Sequence, residues 1–182
     1  MKWRWLLGLT LLAAPVLLGA GAPSADGIVA AIVGGKSASV VLQGWCADRG
    51  LAPLLARRVG GAEISPTPAV LAALGVRPGE PVGYRRVQLA CGTVILSEAE
   101  NWYVPARLTR QMNRQLDSTD APFGLVARPL HFTRRTLMAT RVPDANHLLE
   151  VTAVLVSAKG APFSYVIEDY RRELALPPTP GR

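Results

Sequence analysis

Two long runs of alternating apolar and polar residues, joined by one tight turn, constrain the fold of this chain more than any other feature. The runs cover residues 82–91 and 94–104 and meet at a Cys91-Gly92-Thr93 turn. Alternation with a period of two is typical of β-strands that have one buried face. Strands joined by so short a turn must pair antiparallel, so the sequence predicts a sheet built from hairpins.

A second hairpin and several single elements complete the predicted domain. The runs at 148–158 and 163–173 flank a Lys159-Gly160-Ala161 turn. The remaining elements are expected as helices at 37–48, 69–74 and 110–116 and as strands at 54–59 and 132–140. This order predicts an α+β domain in which helices pack on one face of an antiparallel β-sheet.

The first residues have the layout of a secretory signal peptide. Lys2 and Arg4 precede a mostly apolar run at 6–18, which is followed by small residues. A basic segment, an apolar run and small residues in this order are typical of export signals. The sequence predicts a signal peptide over 1–25, cleaved between Ala20 and Ala25. An uncleaved N-terminal anchor helix is the alternative.

Export and length set the expected organisation and location of the chain. The 182 residues, less the signal peptide, suit one domain with a hydrophobic core, expected over 26–176. The proline-rich tail at 177–182 is expected to be disordered. The mature protein is expected in the periplasm or outside the cell, with no stable membrane insertion after signal cleavage, because the apolar run is short for a membrane span.

The positive charge of the chain is scattered rather than clustered. The formal net charge is +7, and arginines recur as neighbours inside strand-like runs, as in Arg85-Arg86 and Arg134-Arg135. Neighbouring residues of a strand point to opposite faces, so such pairs do not form the basic stripe of a nucleic-acid binder. No nucleic-acid partner is expected. A small carboxylate or aromatic ligand suits the surplus charge better.

The cysteines and the absence of cofactor motifs limit the chemistry further. Cys46 and Cys91 are an even pair in a chain predicted to be exported, which favours a disulfide, with two buried free thiols as the alternative. Two cysteines without clustered histidines do not form a zinc site. No phosphate loop, dinucleotide motif or serine nucleophile elbow is present. We therefore expect no metal and no cofactor.

Arg85 is the charged residue that stands out on the first long strand. It shares a strand face with Val87, Leu89 and Cys91, which is the more apolar of the two faces. We therefore expect Arg85 to point toward the core. A buried guanidinium is costly unless an anion meets it, and the partner is either an internal carboxylate or a bound ligand.

Glu168 is a candidate buried carboxylate on the last strand. Both faces of that strand carry large apolar side chains, which predicts a central position in the sheet. Three roles remain open for Glu168. It is the counter-ion of Arg85, a general acid with a raised pKa, or a solvated glutamate.

Four short motifs occur in an order that resembles a known superfamily. They are Tyr84-Arg85-Arg86-Val87, Tyr103-Val104-Pro105, Ala121-Pro122-Phe123-Gly124, and Gly160-Ala161-Pro162 followed by Glu168. In these motifs the chain resembles the chorismate lyase-like superfamily, which contains chorismate–pyruvate lyases and the UTRA effector domains of bacterial transcription regulators. The resemblance covers 37–174 and implies the chorismate lyase-like fold.

The resemblance also implies a chemistry. Chorismate lyase eliminates pyruvate from chorismate to give 4-hydroxybenzoate, without metal or cofactor. By resemblance, Arg85 is a catalytic and ligand-binding residue that holds the ring carboxylate, Phe123 supplies a ligand-binding backbone contact, and Glu168 is the catalytic acid. Glu168 lies one residue further from Pro162 than in the family, so its inward orientation requires a β-bulge.

Three functional hypotheses follow from these observations. The leading hypothesis is an exported chorismate lyase-like enzyme that acts on chorismate or a related small cyclic carboxylate. The alternative is a non-catalytic binding protein for a small aromatic carboxylate, and the third is a structural or interaction role in the cell envelope. A transcription regulator is not expected, because no helix-turn-helix precedes the domain.

Overall fold

A six-stranded antiparallel sheet forms the centre of the protein in the computed structural model, which describes residues 24–142 and 144–177. Its strands in chain order are β1 (Leu54–Arg58), β2 (Gly83–Cys91), β3 (Val94–Tyr103), β4 (Thr133–Arg141), β5 (His147–Val156) and β6 (Pro162–Arg171). They lie side by side in the order β1-β2-β3-β6-β5-β4. Both predicted hairpins are confirmed, and the last strand is central, as its apolar faces predict.

The described part of the chain also forms five α-helices. They are α1 (Ala25–Val33), α2 (Ala38–Ala47), α3 (Pro68–Leu74), α4 (Arg110–Ser118) and α5 (Phe123–Val126). The hydroxyls of Thr67 and Thr109 accept hydrogen bonds from the first turns of α3 and α4. Gly75 ends α3 in the left-handed region, at φ 56°. Helices α1 and α5 were not expected from the sequence.

The inner face of the sheet carries the main core. Helices α1 and α2 bury an apolar stripe against it, and α4 and α5 extend this layer over the ends of β3, β5 and β6. The central side chains of this core include Ile28, Ile32, Leu42, Trp45, Leu89, Val151, Val166 and Tyr170. The α+β class with an antiparallel sheet is confirmed.

Helix α3 differs from the expected arrangement of helices on one face. Val70 and Leu74 of α3 pack on Trp102 and Val104, with Tyr165 alongside, on the outer face of the sheet. The central strands carry aromatic side chains on this face as well, and burying them requires a cover on the solvent side. The helices on the inner face therefore cover most of the apolar surface of the sheet, and α3 covers the aromatic residues on its outer face.

The expected disulfide joins Cys46 of α2 to Cys91 of β2, with the two Cα atoms 6.0 Å apart. Both residues are buried. The bond attaches the last turn of α2 to the end of the β2–β3 hairpin. It therefore holds this helix against the inner face of the sheet.

The two predicted terminal segments fall mostly outside the described residues. Residues 1–23 of the predicted signal peptide and residues 178–182 of the predicted tail are not described. Ser24 caps α1 through its hydroxyl, which accepts a hydrogen bond from the Gly27 N–H. Within the described ranges, no helix combines the length and apolar character needed to cross a membrane.

Candidate functional site

An inner cavity lies between the inner face of the sheet and helices α2 and α5. Its volume is about 40 Å³. One buried water needs roughly 10–15 Å³ on this measure, so the cavity accommodates several atoms of a compact ligand. Its lining includes Ser37, Ser39, Arg85, Val87, Leu89, Asn101, Phe123, Gly124, Phe132, Arg134, Val166 and Glu168.

Arg85 lines this cavity and forms no ion pair with a carboxylate of the described residues. The alternation of β2 places it on the inner face with Val87 and Leu89, as predicted, and only 4% of Arg85 is exposed. Its Nε and Nη2 atoms have no hydrogen-bond partner among residues 24–142 and 144–177. Burial, and then the nearby Arg58 guanidinium, lower the pKa of Arg85 below its usual value. Of the two expected partners, an internal carboxylate is not found in the described chain.

Glu168 forms a buried ion pair with a different arginine. Its Oε2 accepts hydrogen bonds from Nη2 of Arg134 and, at 2.7 Å, from the hydroxyl of Tyr170. Glu168 is 6% exposed and Arg134 is 7% exposed. Burial is the largest single effect and lowers the pKa of Arg134, but Glu168 and Tyr170 together outweigh it, so the pKa is raised. Glu168 is therefore the counter-ion of Arg134 and not of Arg85.

A β-bulge at the start of β6 accounts for the inward orientation of Glu168. Val156 pairs with Pro162 and the preceding Leu155 pairs with Ser164, so Phe163 is the extra residue. A one-residue insertion otherwise sends the following side chains to the opposite face. The bulge thus absorbs the additional residue between Pro162 and Glu168, as the sequence requires.

Asn101 adds a neutral polar group to the cavity wall. It lies directly opposite Arg85 in the β2–β3 pairing. The Ser164 hydroxyl donates to Oδ1 of Asn101 at 2.7 Å. This bond orients the amide, and for an anionic ligand the amide nitrogen is the group of Asn101 that can donate a hydrogen bond.

The segment at Phe123, which the sequence analysis expected as a turn, begins helix α5 and forms the wall opposite the sheet. The Phe123 ring stacks on Phe163 at a centroid distance of 6.2 Å and is inclined to Tyr103 at 5.5 Å. At Gly124 an added Cβ would lie 2.8 Å from the hydroxyl oxygens of both Ser37 and Ser39. Helices α2 and α5 can therefore approach this closely only because residue 124 lacks a side chain.

The structure brings the predicted site residues together and adds residues that sequence reasoning missed. Arg85, Phe123 and Glu168 all line the inner cavity, and their roles in binding or catalysis remain predictions. Arg134 and Tyr170 were missed as partners of Glu168. The Arg134-Arg135 pair carried a signal, since one member of a strand pair must face inward. Within the described residues, no group of three or more histidine, cysteine or acidic side chains is placed to hold a metal ion.

Comparison of the sequence with known proteins identifies one informative relative. No family model matches the chain. The "Uncharacterized protein y4mC" of Sinorhizobium fredii is 38% identical over an aligned length of 175 residues. The match covers 82% of this chain and 74% of that protein.

Comparison of the fold identifies solved structures of low sequence identity. PhnF from Mycobacterium smegmatis matches with a TM-score of 0.55 and 13% identity, over 78% of this chain and 66% of PhnF. The effector domain of PhnF matches with a TM-score of 0.51 and 14% identity, over 72% of this chain and 88% of that domain. Both structures have the chorismate lyase-like fold, so the expected fold is confirmed.

Proposed function

The chain belongs to the family of the uncharacterized protein y4mC of Sinorhizobium fredii, and from this premise we propose that it is a non-catalytic binding protein for a small aromatic carboxylate. The observation that carries the proposal is Arg85, a buried guanidinium whose Nε and Nη2 have no partner among the described residues. A buried charge without a counter-ion destabilises a protein by several kcal/mol. A bound carboxylate would supply that counter-ion through two parallel hydrogen bonds.

The other walls of the cavity support an aromatic ligand. Phe123 and Phe132 are partly buried at one side, and Val87 and Val166 lie on the sheet side. A flat ring would contact these apolar groups while its carboxylate met Arg85. The cavity volume of about 40 Å³ corresponds to roughly three or four waters, so an aromatic acid would extend beyond the cavity or widen it on binding.

Glu168 supports selection for a ligand with a hydroxyl group. Within the described chain, both of its hydrogen bonds end on Oε2, from Arg134 and Tyr170. Its Oε1 atom can therefore accept a hydrogen bond from a ligand hydroxyl. A hydroxylated aromatic acid could use both Arg85 and Glu168, which line the same cavity.

Binding is favoured over elimination of pyruvate by what surrounds Glu168. A catalytic acid must be free to give a proton to the leaving group. Here the Glu168 carboxylate accepts hydrogen bonds from the guanidinium of Arg134 and the phenol of Tyr170, so it serves as the counter-ion of Arg134. The named fold neighbour is an effector domain, which is a binding module rather than an enzyme.

We also propose that the protein is exported to the periplasm or beyond. The layout of residues 1–25 is the basis, and the Cys46–Cys91 disulfide supports it, since disulfides persist in oxidising compartments. Cell fractionation with N-terminal sequencing of the recovered protein tests this. A cytoplasmic protein that retains Lys2 would contradict export.

Ligand-induced thermal stabilisation tests the binding function. Benzoate, 4-hydroxybenzoate and chorismate are titrated against the wild type, Arg85→Gln and the control Arg135→Gln, which alters an exposed arginine of β4. At one hundred times Kd, a ligand should stabilise the wild type and the control by about 2.7 kcal/mol, and Arg85→Gln much less. Equal stabilisation of Arg85→Gln, or none in the wild type, would overturn the proposal.

The chorismate arm separates binding from catalysis. Chorismate that stabilises the protein and is recovered intact supports a binding protein. Release of 4-hydroxybenzoate by the wild type above the Arg85→Gln background would overturn the non-catalytic assignment.

A further inference from the structure

A second space, here named the arginine chamber, adjoins the inner cavity beside the end of β1. Its volume is about 200 Å³, compared with about 40 Å³ for the inner cavity. Strand β1 ends at Arg58, and the following segment runs past the edge of β2. Six of its nine lining residues are exposed, so the chamber is a groove open to solvent, and its charged members are Arg58, Glu63, Arg85 and Arg86.

Arg85 lines both the inner cavity and the arginine chamber. The residue is 4% exposed, and its Nε and Nη2 atoms are unpartnered within the described chain. The guanidinium thus forms part of the wall between the two spaces. One anion in the inner cavity does not have to use all of its donors.

Arg58 is a second guanidinium in the chamber whose charge is not neutralised by an ion pair with any described residue. Its Nη2 donates to the backbone carbonyls of Leu116 at 2.6 Å and Asp117 at 3.3 Å, at the end of α4. These bonds hold the side chain in place but supply no full negative charge. The proximity of Arg58 is the second-largest influence on the pKa of Arg85, after burial, and it also lowers that pKa.

The other charged residues of the chamber do not cancel this positive charge. Arg86 lies 3.5 Å from Glu98, but that carboxylate also pairs with Arg171 at 2.6 Å, so Arg86 does not offset the positive charge. Glu63 contributes one carboxylate against the two guanidinium groups of Arg58 and Arg85. Asp117 and Asp120 act on Arg85 in the opposite sense to Arg58, but more weakly. The chamber therefore keeps a net positive charge beside a buried donor group.

We infer that the arginine chamber is a second oxyanion subsite, in which Arg58 and Arg85 together bind a carboxylate or phosphate group. This inference rests on the proposed function, since it extends the Arg85 site. The oxyanion is either a second acidic group of the same aromatic ligand or a separate anion. Two guanidinium groups converging on one oxyanion form charge-assisted hydrogen bonds and relieve the repulsion between them.

Matched monoanions and dianions test the subsite. Benzoate is compared with isophthalate and terephthalate, which add one carboxylate at two separations, and inorganic phosphate is titrated alone and with benzoate. We expect a dicarboxylate, or phosphate, to bind the wild type with a Kd at least about tenfold lower than the same probe binds Arg58→Gln. Benzoate should bind both proteins within about twofold.

Arg57→Gln is the matched control for Arg58→Gln. Arg57 lies on the same strand, is exposed, and also donates to a backbone carbonyl, that of Gly92 at 2.6 Å. It does not line either space, so its variant should behave as the wild type with every probe. An equal loss in both variants would assign the effect to general surface charge and overturn the inference.

The outcomes separate this inference from the proposed function. If benzoate binds through Arg85 but neither the dicarboxylates nor phosphate depend on Arg58, the second subsite is wrong and the proposed function stands. If no aromatic acid binds but phosphate binds in an Arg58-dependent way, the subsite stands and the proposed function fails. If no probe binds, both are overturned. An advantage confined to the dicarboxylates identifies a second group of the same ligand, and one confined to phosphate identifies a separate anion.

Discussion

Arg134 reaches across β5 to form a buried ion pair with Glu168 of β6. Arg85, on the same cavity, has no such partner in the described chain. A carboxylate thus balances the charge of Arg134, and no described carboxylate pairs with Arg85, although each is the buried member of an Arg-Arg pair in a strand. We therefore expect substitutions of Arg85 and Arg134 to have opposite effects on the free energy of unfolding.

Arg85→Met should leave the free energy of unfolding of the ligand-free protein unchanged or raise it by about 1–3 kcal/mol, because it removes a buried charge without a counter-ion. The same variant should lose binding of aromatic carboxylates. Urea unfolding and ligand titration check the two effects. A loss of several kcal/mol in the ligand-free variant would indicate a structural role for Arg85.

Arg134→Met should destabilise the protein by about 3–5 kcal/mol, because it leaves the Glu168 carboxylate buried without its guanidinium. The double variant Arg134→Met/Glu168→Leu should recover much of this loss, since it removes both charges. Urea unfolding of both single variants and the double variant gives the coupling energy. Additive losses would contradict the ion pair, and Arg135→Met should change stability by less than about 0.5 kcal/mol.

Gly124→Ala should destabilise the protein by about 1–3 kcal/mol and weaken ligand binding. The new Cβ would lie 2.8 Å from the hydroxyl oxygens of Ser37 and Ser39 and 3.3 Å from Cβ of Ser39, so either these side chains move or α2 and α5 separate at the cavity wall. Gly44→Ala is the control, because this glycine lies inside α2 with open space around it. It should stabilise the protein by up to about 1 kcal/mol in thermal or urea unfolding. Equal effects of the two variants would contradict the close approach.

Reduction of the Cys46–Cys91 disulfide should lower the free energy of unfolding by up to about 4 kcal/mol, because the bond closes a loop with a sequence separation of 45. Unfolding with and without a reductant measures this loss. The variant Cys46→Ala/Cys91→Ala should be insensitive to the reductant. We also expect weaker ligand binding after reduction, since α2 carries Ser39 into the cavity wall. A wild type that unfolds identically under both conditions would contradict this contribution.

Asp144 should make stability depend on acid pH. A hydrogen bond with the His147 side chain, and then the backbone N–H groups of Asn146 and His147, hold the pKa of Asp144 at about 2, below its ordinary 3.8. A lowered folded-state pKa stabilises the protein above the unfolded-state pKa, and this contribution is lost as pH falls through the folded-state value. The Tm difference between the wild type and Asp144→Asn should therefore be present at pH 7 and narrow between about pH 4 and 2. A pH-independent difference would contradict this, and the exposed Asp48→Asn serves as the control.

The hairpins and the helices α2, α3 and α4 follow from the sequence, whereas α1 and α5 do not. Tight turns at Gly92 and Gly160 each connect two alternating runs, so the two strands of each hairpin must pair antiparallel. Threonine caps and a terminal glycine define α3 and α4 for the same reason, because the required groups are neighbours in the chain. The inward orientation of Arg85 also follows, since strand alternation depends only on adjacent residues.

The choice of partners was decided by the tertiary structure. The sequence alone placed Arg85 and Glu168 on apolar faces, but it could not assign Glu168 to Arg134, because that contact depends on β5 lying between β4 and β6. Strand order is set by long-range packing, which no short pattern encodes. The sequence by itself therefore determined an antiparallel α+β domain with an arginine directed inward. Only the tertiary structure decided which buried charge is balanced and which is left for a ligand, because burial makes that balance depend on groups distant in the chain.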